Sequence, residues 1–288
     1  MIREIQSGKV MSSYIAKMKG SDNIYAQKII ALHKTYETGN PICHFYTQLN
    51  DYAEEAVLIA RIGAEFSLAR LNIDMPVYVE VDDDDLYAPP KYNEAEYCEA
   101  NYPELAAFLY MLNARTVFLS AEMMEGLEQH IKGKFLYNCL MEYSGDEVRN
   151  LSTATQVISE KNPDKFPLDK IYEILKDDFI IDRQMWLADV SHRVRHGIST
   201  VYLYNNVSTA TVLFDNENIV YLTQVCTRSD KRGNGFAKQL LTEVCGYYKS
   251  QKRKVLLVCR PEKADYYISI GFKHVGRAAN IYEITSGG

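Results

Sequence analysis

The sequence predicts an α/β protein, more closely an α+β one, in which a mixed and mostly antiparallel sheet is flanked by helices. Three observations carry this. Strand-like runs separated by short polar breaks recur at 44–71 and again at 199–227, which suits antiparallel meanders. Helical periodicity stands around them, as at 183–195, where Trp186, Val190 and Val194 share one face. Finally, the strand-like run from Ile219 to Thr227 breaks into Arg232-Gly233-Asn234-Gly235-Phe236-Ala237 and reopens as a helix from Lys238 to about Lys249.

A chain of 288 residues is long for one core and suits two domains. The expected division is an N-terminal α/β domain over 1–150, a linker over 151–167 rich in Ser, Thr, Asn and Pro, and a second domain over 168–288. Apolar content of 47% with 24% charged residues provides for a sizeable core, and the net charge of −6 argues against nucleic acid as the default partner. The six cysteines (Cys43, Cys98, Cys139, Cys226, Cys245 and Cys259) form no C-x-x-C pair and no cluster at metal spacing, so they read as reduced thiols and no metal is expected. Without a signal-like apolar segment near Met1, or any run of about 18 apolar residues, a cytoplasmic protein with no membrane span is expected.

Along the first half, residues 1–40 read as helix, ended by Gly39-Asn40-Pro41. Strands are expected at His44–Leu49, Ala56–Ile62, Glu65–Leu71, Val77–Val81 and Thr116–Leu119, and helices at Glu104–Asn113 and Ala121–His130. The carboxylates Asp82 to Asp85 lack calcium-loop spacing and read as a solvated acidic loop. No chemical motif stands out in this half. The second half is tidier: helices at Leu168–Leu175 and Arg183–Arg195, strands at Ser199–Tyr204, Thr209–Phe214 and Ile219–Thr227, the glycine turn and its helix, a strand at Val255–Arg260, a helix at Pro261–Ile270, and a last strand at Phe272–Ile284.

The glycine turn is the chemically informative segment. A strand that breaks into glycines and opens a helix presents free backbone N–H groups backed by the positive end of the helix dipole, a site suited to a pyrophosphate. A P-loop would need G-x-x-x-x-G-K-[ST], which is absent. A dinucleotide fingerprint would need a third glycine, where Lys238 stands, and a βαβ setting in place of a meander.

Arg232-x-x-Gly235-x-Ala237 resembles the Q/R-x-x-G-x-G/A signature of the GNAT superfamily, the acyl-CoA-dependent N-acetyltransferases. Two further matches lie at the distances that family requires. Gln224-Val225-Cys226-Thr227 stands where the family's pantetheine-pairing strand lies, and Ala264-Asp265-Tyr266-Tyr267-Ile268-Ser269-Ile270-Gly271-Phe272 resembles its A-x-x-Y-x-x-x-G-F helix. The resemblance covers about 120 residues, over 168–284, and one departure is Thr227, where the family has an apolar residue. The two-domain length looks like that of bacterial GNAT proteins with an N-terminal extension, and a degenerate second copy of the fold is one reading of the first half.

What the resemblance implies is acetyl transfer from acetyl-CoA to a primary amine of a small molecule or peptide, by direct attack on the thioester. The backbone of Gly233, Asn234, Gly235, Phe236, Ala237 and Lys238 is expected to cradle the CoA pyrophosphate, with Arg232 adding charge. Val225, Cys226 and Thr227 are expected to offer strand-type hydrogen bonds to pantetheine, and a free N–H there to polarise the thioester carbonyl. Tyr267 is the candidate general acid for the departing thiolate, since a phenol of ordinary pKa, about 10, is protonated at pH 7. Core packing is the alternative for Tyr267, as it is for many of the 22 tyrosines. No base is legible: His192 and His196, four apart, read as a helix-end pair in place of a metal pair, and Asp189 is a weaker candidate. The competing functional class is a non-catalytic acyl-CoA-binding or regulatory module.

Overall fold

A computed structural model describes residues 1–49, 55–71, 100–164, 168–179, 182–216 and 218–285. The chain packs as two compact units, one of Met1–Leu140, Cys259–Pro261 and the segment from Val275, the other of Met141–Val258 and Glu262–His274. Set against the expected ranges 1–150, 151–167 and 168–288, the units trade segments: residues 141–164 pack in the second unit and the C-terminal residues in the first.

The first unit contains β1 (Ile2–Glu4), α1 (Gly8–Met18), α2 (Ile24–Tyr36), β2 (Cys43–Leu49), β3 (Glu55–Ile62), β4 (Glu65–Arg70), α3 (Tyr102–Met111), β5 (Thr116–Ser120), α4 (Ala121–Glu128) and most of β6 (Lys134–Tyr143). The single helix expected over 1–40 is thus a strand and two helices. Gly20, at φ 81°, follows α1, and the Asn23 side chain caps α2 by accepting from the Tyr25 and Ala26 amides. Leu58, Ile59, Leu68, Leu105, Val117, Leu119 and Ile281 are among the fully buried residues. The expected strand Val77–Val81, the acidic loop Asp82–Asp85 and Cys98 lie outside the described residues.

The second unit contains β7 (Thr155–Ile158), α5 (Leu168–Leu175), α6 (Arg183–Arg195), β8 (Thr200–Tyr204), β9 (Ser208–Asn216), β10 (Ile219–Thr227), α7 (Phe236–Ser250), β11 (Lys254–Cys259), α8 (Ala264–Ile268) and the start of β12 (Phe272–Tyr282). The stretch expected as linker therefore carries β7, which pairs antiparallel with β8. Its four residues, set among Ser, Thr and Asn, are too few to show a period. The expected helix at 261–270 is a 3-10 turn, Pro261–Lys263, followed by the short α8. Ile171, Ile174 and Leu175 of α5 pack with Trp186, Val190 and Val194 of α6 on Val201, Leu203 and Cys226.

The two series of elements repeat one another: strand, two helices, three strands, helix, strand, helix, strand. The pairing repeats as well. In the first series β1, β2, β3 and β4 pair antiparallel in chain order and β4 pairs parallel with β5. In the second, β7, β8, β9 and β10 pair antiparallel and β10 pairs parallel with β11. The place beside β5 is taken by the end of the chain, with Ala278–Tyr282 of β12 antiparallel to Thr116–Ser120.

Candidate active site

The parallel pair in the second unit opens part-way along. Strands β10 and β11 are in register from Ile219↔Lys254 to Leu222↔Leu257, after which, among the described residues, β10 continues against β9 alone. A bulge marks the divergence. Thr223 pairs with Thr211 and Cys226 with Thr209, so Ala210 alone opposes both Gln224 and Val225. Gln224 takes φ 52°, uncommon for a residue with a side chain. The edge of 223–227 that would meet β11 is left for another extended partner.

The segment after β10 turns through Ser229–Lys231 into the glycine turn and α7. Gly233 at φ 79° and Gly235 at φ 76° supply the left-handed conformations the turn requires. A Cβ added at either would meet nothing within 4 Å, so the glycines are set by backbone conformation and the space before them is open. Asn234 closes the turn, its side-chain amide donating to the carbonyls of Lys231 (3.0 Å) and Arg232 (3.1 Å). Phe236 and Ala237 already belong to α7, two residues earlier than expected. Side-chain caps complete α2, α3, α4 and α6; α1 and α8 lack one, and so does α7, which starts at Gly235 with no acid in its first turn. Its first amides and the dipole behind them face the open space of the turn, with Lys238 exposed beside them.

Arg232 is already engaged. Its Nε donates to the Thr227 carbonyl at 3.0 Å and its guanidinium pairs with the Asp178 carboxylate, which follows α5. Asp178 also accepts from the Cys226 thiol at 2.8 Å. Cys226 points into the α5 side of the core at 4% exposure, so its side chain is turned away from the open edge of β10. Burial and the hydrogen bond to Asp178 push this thiol up to about 12. That disfavours the thiolate and any S-acyl intermediate on it. Thr227 uses its hydroxyl locally, 2.9 Å from Ser208 Oγ on β9, which explains how a polar residue fits there.

Tyr267 lies on α8, half-buried, between Tyr266 and the Phe272 ring, whose centroids are 5.3 and 5.6 Å from its own. Phe272 in turn packs edge-on against Tyr143 at 5.2 Å. Because β10 and β11 run parallel, the chain following each emerges at the same end of the pair, and both the glycine turn and α8 lie at that end. Gly271, at φ 111°, donates from its N–H to the Ile268 carbonyl, and its own carbonyl accepts from Ser144 N at 2.8 Å; this ends α8 and starts β12.

His196 caps α6, with its ring Nδ1 2.9 Å from the His192 carbonyl and the two rings 4.1 Å apart. Asp189 is held by Arg193 at 2.8 and 2.9 Å. Among the described residues no group of His, Cys, Asp or Glu is placed to hold a metal ion.

The matching position in the first unit has the opposite character. Helix α3 is capped by Asn101, which accepts from the Glu104 amide; Pro103 in its first turn has no N–H, and Glu104 brings a negative charge. That carboxylate accepts from Ile2 N at 2.9 Å and Gln48 Nε2 at 3.0 Å. The end of α3 that would face an anion is filled by the chain's own side chains.

No family model matches this sequence, and no curated protein does. Solved structures do. The whole fold is similar to a tandem GNAT protein from the clavulanic acid biosynthesis pathway, at TM-score 0.59 and 7% identity, over 100% of this chain and 99% of that one. The chain has a tandem GNAT fold. An N-acetyltransferase from Sphaerobacter thermophilus shares this fold at TM-score 0.53 and 14% identity over 100% and 96% of the two chains. So does a GNAT-family acetyltransferase from Colwellia psychrerythraea, at TM-score 0.51 and 11% identity over 98% and 99%. The GNAT fold thus extends beyond the motif-bearing residues 168–284 to the first half, where no motif signals it. Two features of the site had no signal in the sequence. Gln224 is an ordinary strand residue until β9 sets its register, and Asp178 is one acid among several near α5.

Proposed function

We propose that this protein transfers an acetyl group from acetyl-CoA to a primary amine of a small molecule or peptide, and that its second unit is the catalytic one. The observation that carries this reading is the uncapped start of α7 behind Gly233 and Gly235, both at positive φ with open space before them, beside the unpaired edge of β10. A helix N-terminus of this kind holds an anion through main-chain N–H groups, and an open strand edge suits an amide-bearing arm. The contrast with α3, capped and acidic, supports assigning the cofactor to one unit only.

In this reading the main chain of Gly233 to Lys238 binds the pyrophosphate, and that of Val225, Cys226 and Thr227 binds pantetheine. When bound, acetyl-CoA supplies the activated acyl group as a thioester. Main-chain N–H groups of the bulged strand stabilise negative charge on the acyl oxygen as the neutral amine attacks directly. Tyr267 donates the proton required by the departing thiolate, and the proton shed by the attacking nitrogen passes through water to solvent. The high thiol pKa of Cys226 favours this direct transfer over a covalent relay. Arg232 acts at the edge of the site, since it is tied to Asp178 and Thr227.

The test is a panel of primary amines incubated with acetyl-CoA and the full chain, following release of free thiol. Amine-dependent thiol release, with acetylated product identified by mass, is expected. Tight CoA binding without turnover on any amine would assign the chain to the non-catalytic acyl-CoA-binding class.

A further inference from the structure

We propose that Thr211 is a positioning residue of this site, holding Gln224 in its left-handed conformation so that the bulged strand presents its main chain to the acyl carbonyl. The proposal rests on the acetyl-CoA reading above. Thr211 is 2% exposed on β9 and pairs across the sheet with Thr223. Its hydroxyl donates to Gln224 Oε1 at 3.1 Å. Gln224 is the residue at φ 52°, in a region that a side chain disfavours unless its surroundings hold it there. One bond from the neighbouring strand therefore lands on the strained residue of the bulge.

A second β9 hydroxyl acts on the far side. Ser208 Oγ, fully buried, donates to the Cys226 carbonyl at 3.0 Å and lies 2.9 Å from the Thr227 hydroxyl. Between the two hydroxyls stands Ala210, opposite the extra residue. Side chains alternate across a strand, so losing the extra residue would reverse the faces of everything after it. Cys226 would leave the α5 core and the Asp178 carboxylate, and the main chain of Val225 would turn with it. The Thr211 bond opposes that slip without touching the cofactor.

The test compares acetyl-CoA and CoA, which differ only in the acetyl group that replaces the thiol hydrogen, by calorimetric titration of the full chain. Thr211→Val keeps the packing and removes the donor. It is expected to weaken acetyl-CoA binding about five-fold, the size of one hydrogen bond's net contribution, with CoA changed by less than about two-fold. Gln224→Gly, which adopts positive φ unaided, is expected to keep more acetyl-CoA affinity than Gln224→Ala and to remove the effect of Thr211→Val. Gln224→Ala, which avoids disturbing a buried residue, is expected to reproduce the selective loss. Equal losses for both ligands, or alanine and glycine at 224 behaving alike, would overturn the positioning role. If the wild type binds neither ligand, the acetyl-CoA reading itself falls and takes this role with it.

Discussion

The guanidinium of Arg232 is paired with the carboxylate of Asp178, and its Nε reaches the Thr227 carbonyl at 3.0 Å. The first residue of the glycine-turn motif is therefore tied both to the strand before it and to the segment after α5. Both side chains of the pair are partly exposed, at 47% and 39%, so the pair itself is worth little. Its consequence is competitive: a pyrophosphate in the turn and Asp178 would draw on the same cation. Asp178→Asn should accordingly tighten CoA binding about three-fold, read by calorimetric titration. Weaker binding in Asp178→Asn would make Arg232 a strut that needs its carboxylate, and not a reserve charge for the ligand.

Gly235→Ala should cost about 1 kcal/mol of stability, because alanine at φ 76° is strained even where space is open. Gly235→Glu should in addition abolish CoA binding by placing a carboxylate at the start of α7. Urea unfolding and CoA titration on the same preparations separate the two effects. Retained CoA affinity in Gly235→Glu would undermine the cradle.

Tyr267→Phe removes a hydroxyl while keeping the ring against Phe272, 5.6 Å between centroids. Acetyl transfer should slow roughly 100-fold with CoA affinity unchanged, the signature of a proton donor used only in the chemical step. Unchanged turnover would return Tyr267 to a packing role.

Stability should fall on the alkaline side. Burial pushes the phenols of Tyr143 and Tyr248 up to about 12, and Tyr202, which donates to the Tyr248 oxygen at 2.9 Å, is raised as well. The unfolded phenols ionise near pH 10, so the unfolded state loses protons first. The stabilisation from these groups is complete below about pH 10 and is lost as pH rises through about 12. Urea unfolding at pH 8, 10 and 11 should show a decline that Tyr143→Phe reduces; an equal decline in that variant would remove Tyr143 from the account.

Residues 1–150 expressed alone should fail to fold cooperatively. The edge of β5, with Val117 and Leu119 fully buried, is covered by Ala278–Tyr282 of β12, which such a fragment lacks. Adding a peptide spanning 272–285 in trans should recover a cooperative melt. A fragment that melts cooperatively by itself would show that β12 is dispensable to that unit.

Much of the second unit was legible because its signals are local. Trp186, Val190 and Val194 recur at the period of a helix, and Gly233 and Gly235 stand where only glycine enters left-handed backbone without strain. The two glycines also carry the candidate site, since the proposed anion cradle is a matter of consecutive amides. The first unit was less legible. Strand β1 has three residues and exists by pairing with Thr47 and its neighbours, and β7 has four, paired with β8. Strand β12 reads correctly as a strand, but nothing in its residues says that β5 is its neighbour.

Turn chemistry and hydrophobic period act over a few residues, and they were enough for the glycine turn, its helix and the α8 tyrosine. Register acts between residues far apart in the chain. It put an extra residue at Gln224 opposite Ala210, turned Cys226 into the core toward Asp178, and sent the last strand to close the first unit's sheet. Those choices rest on which faces are buried when strands meet, a property of the assembled sheet that no single segment carries.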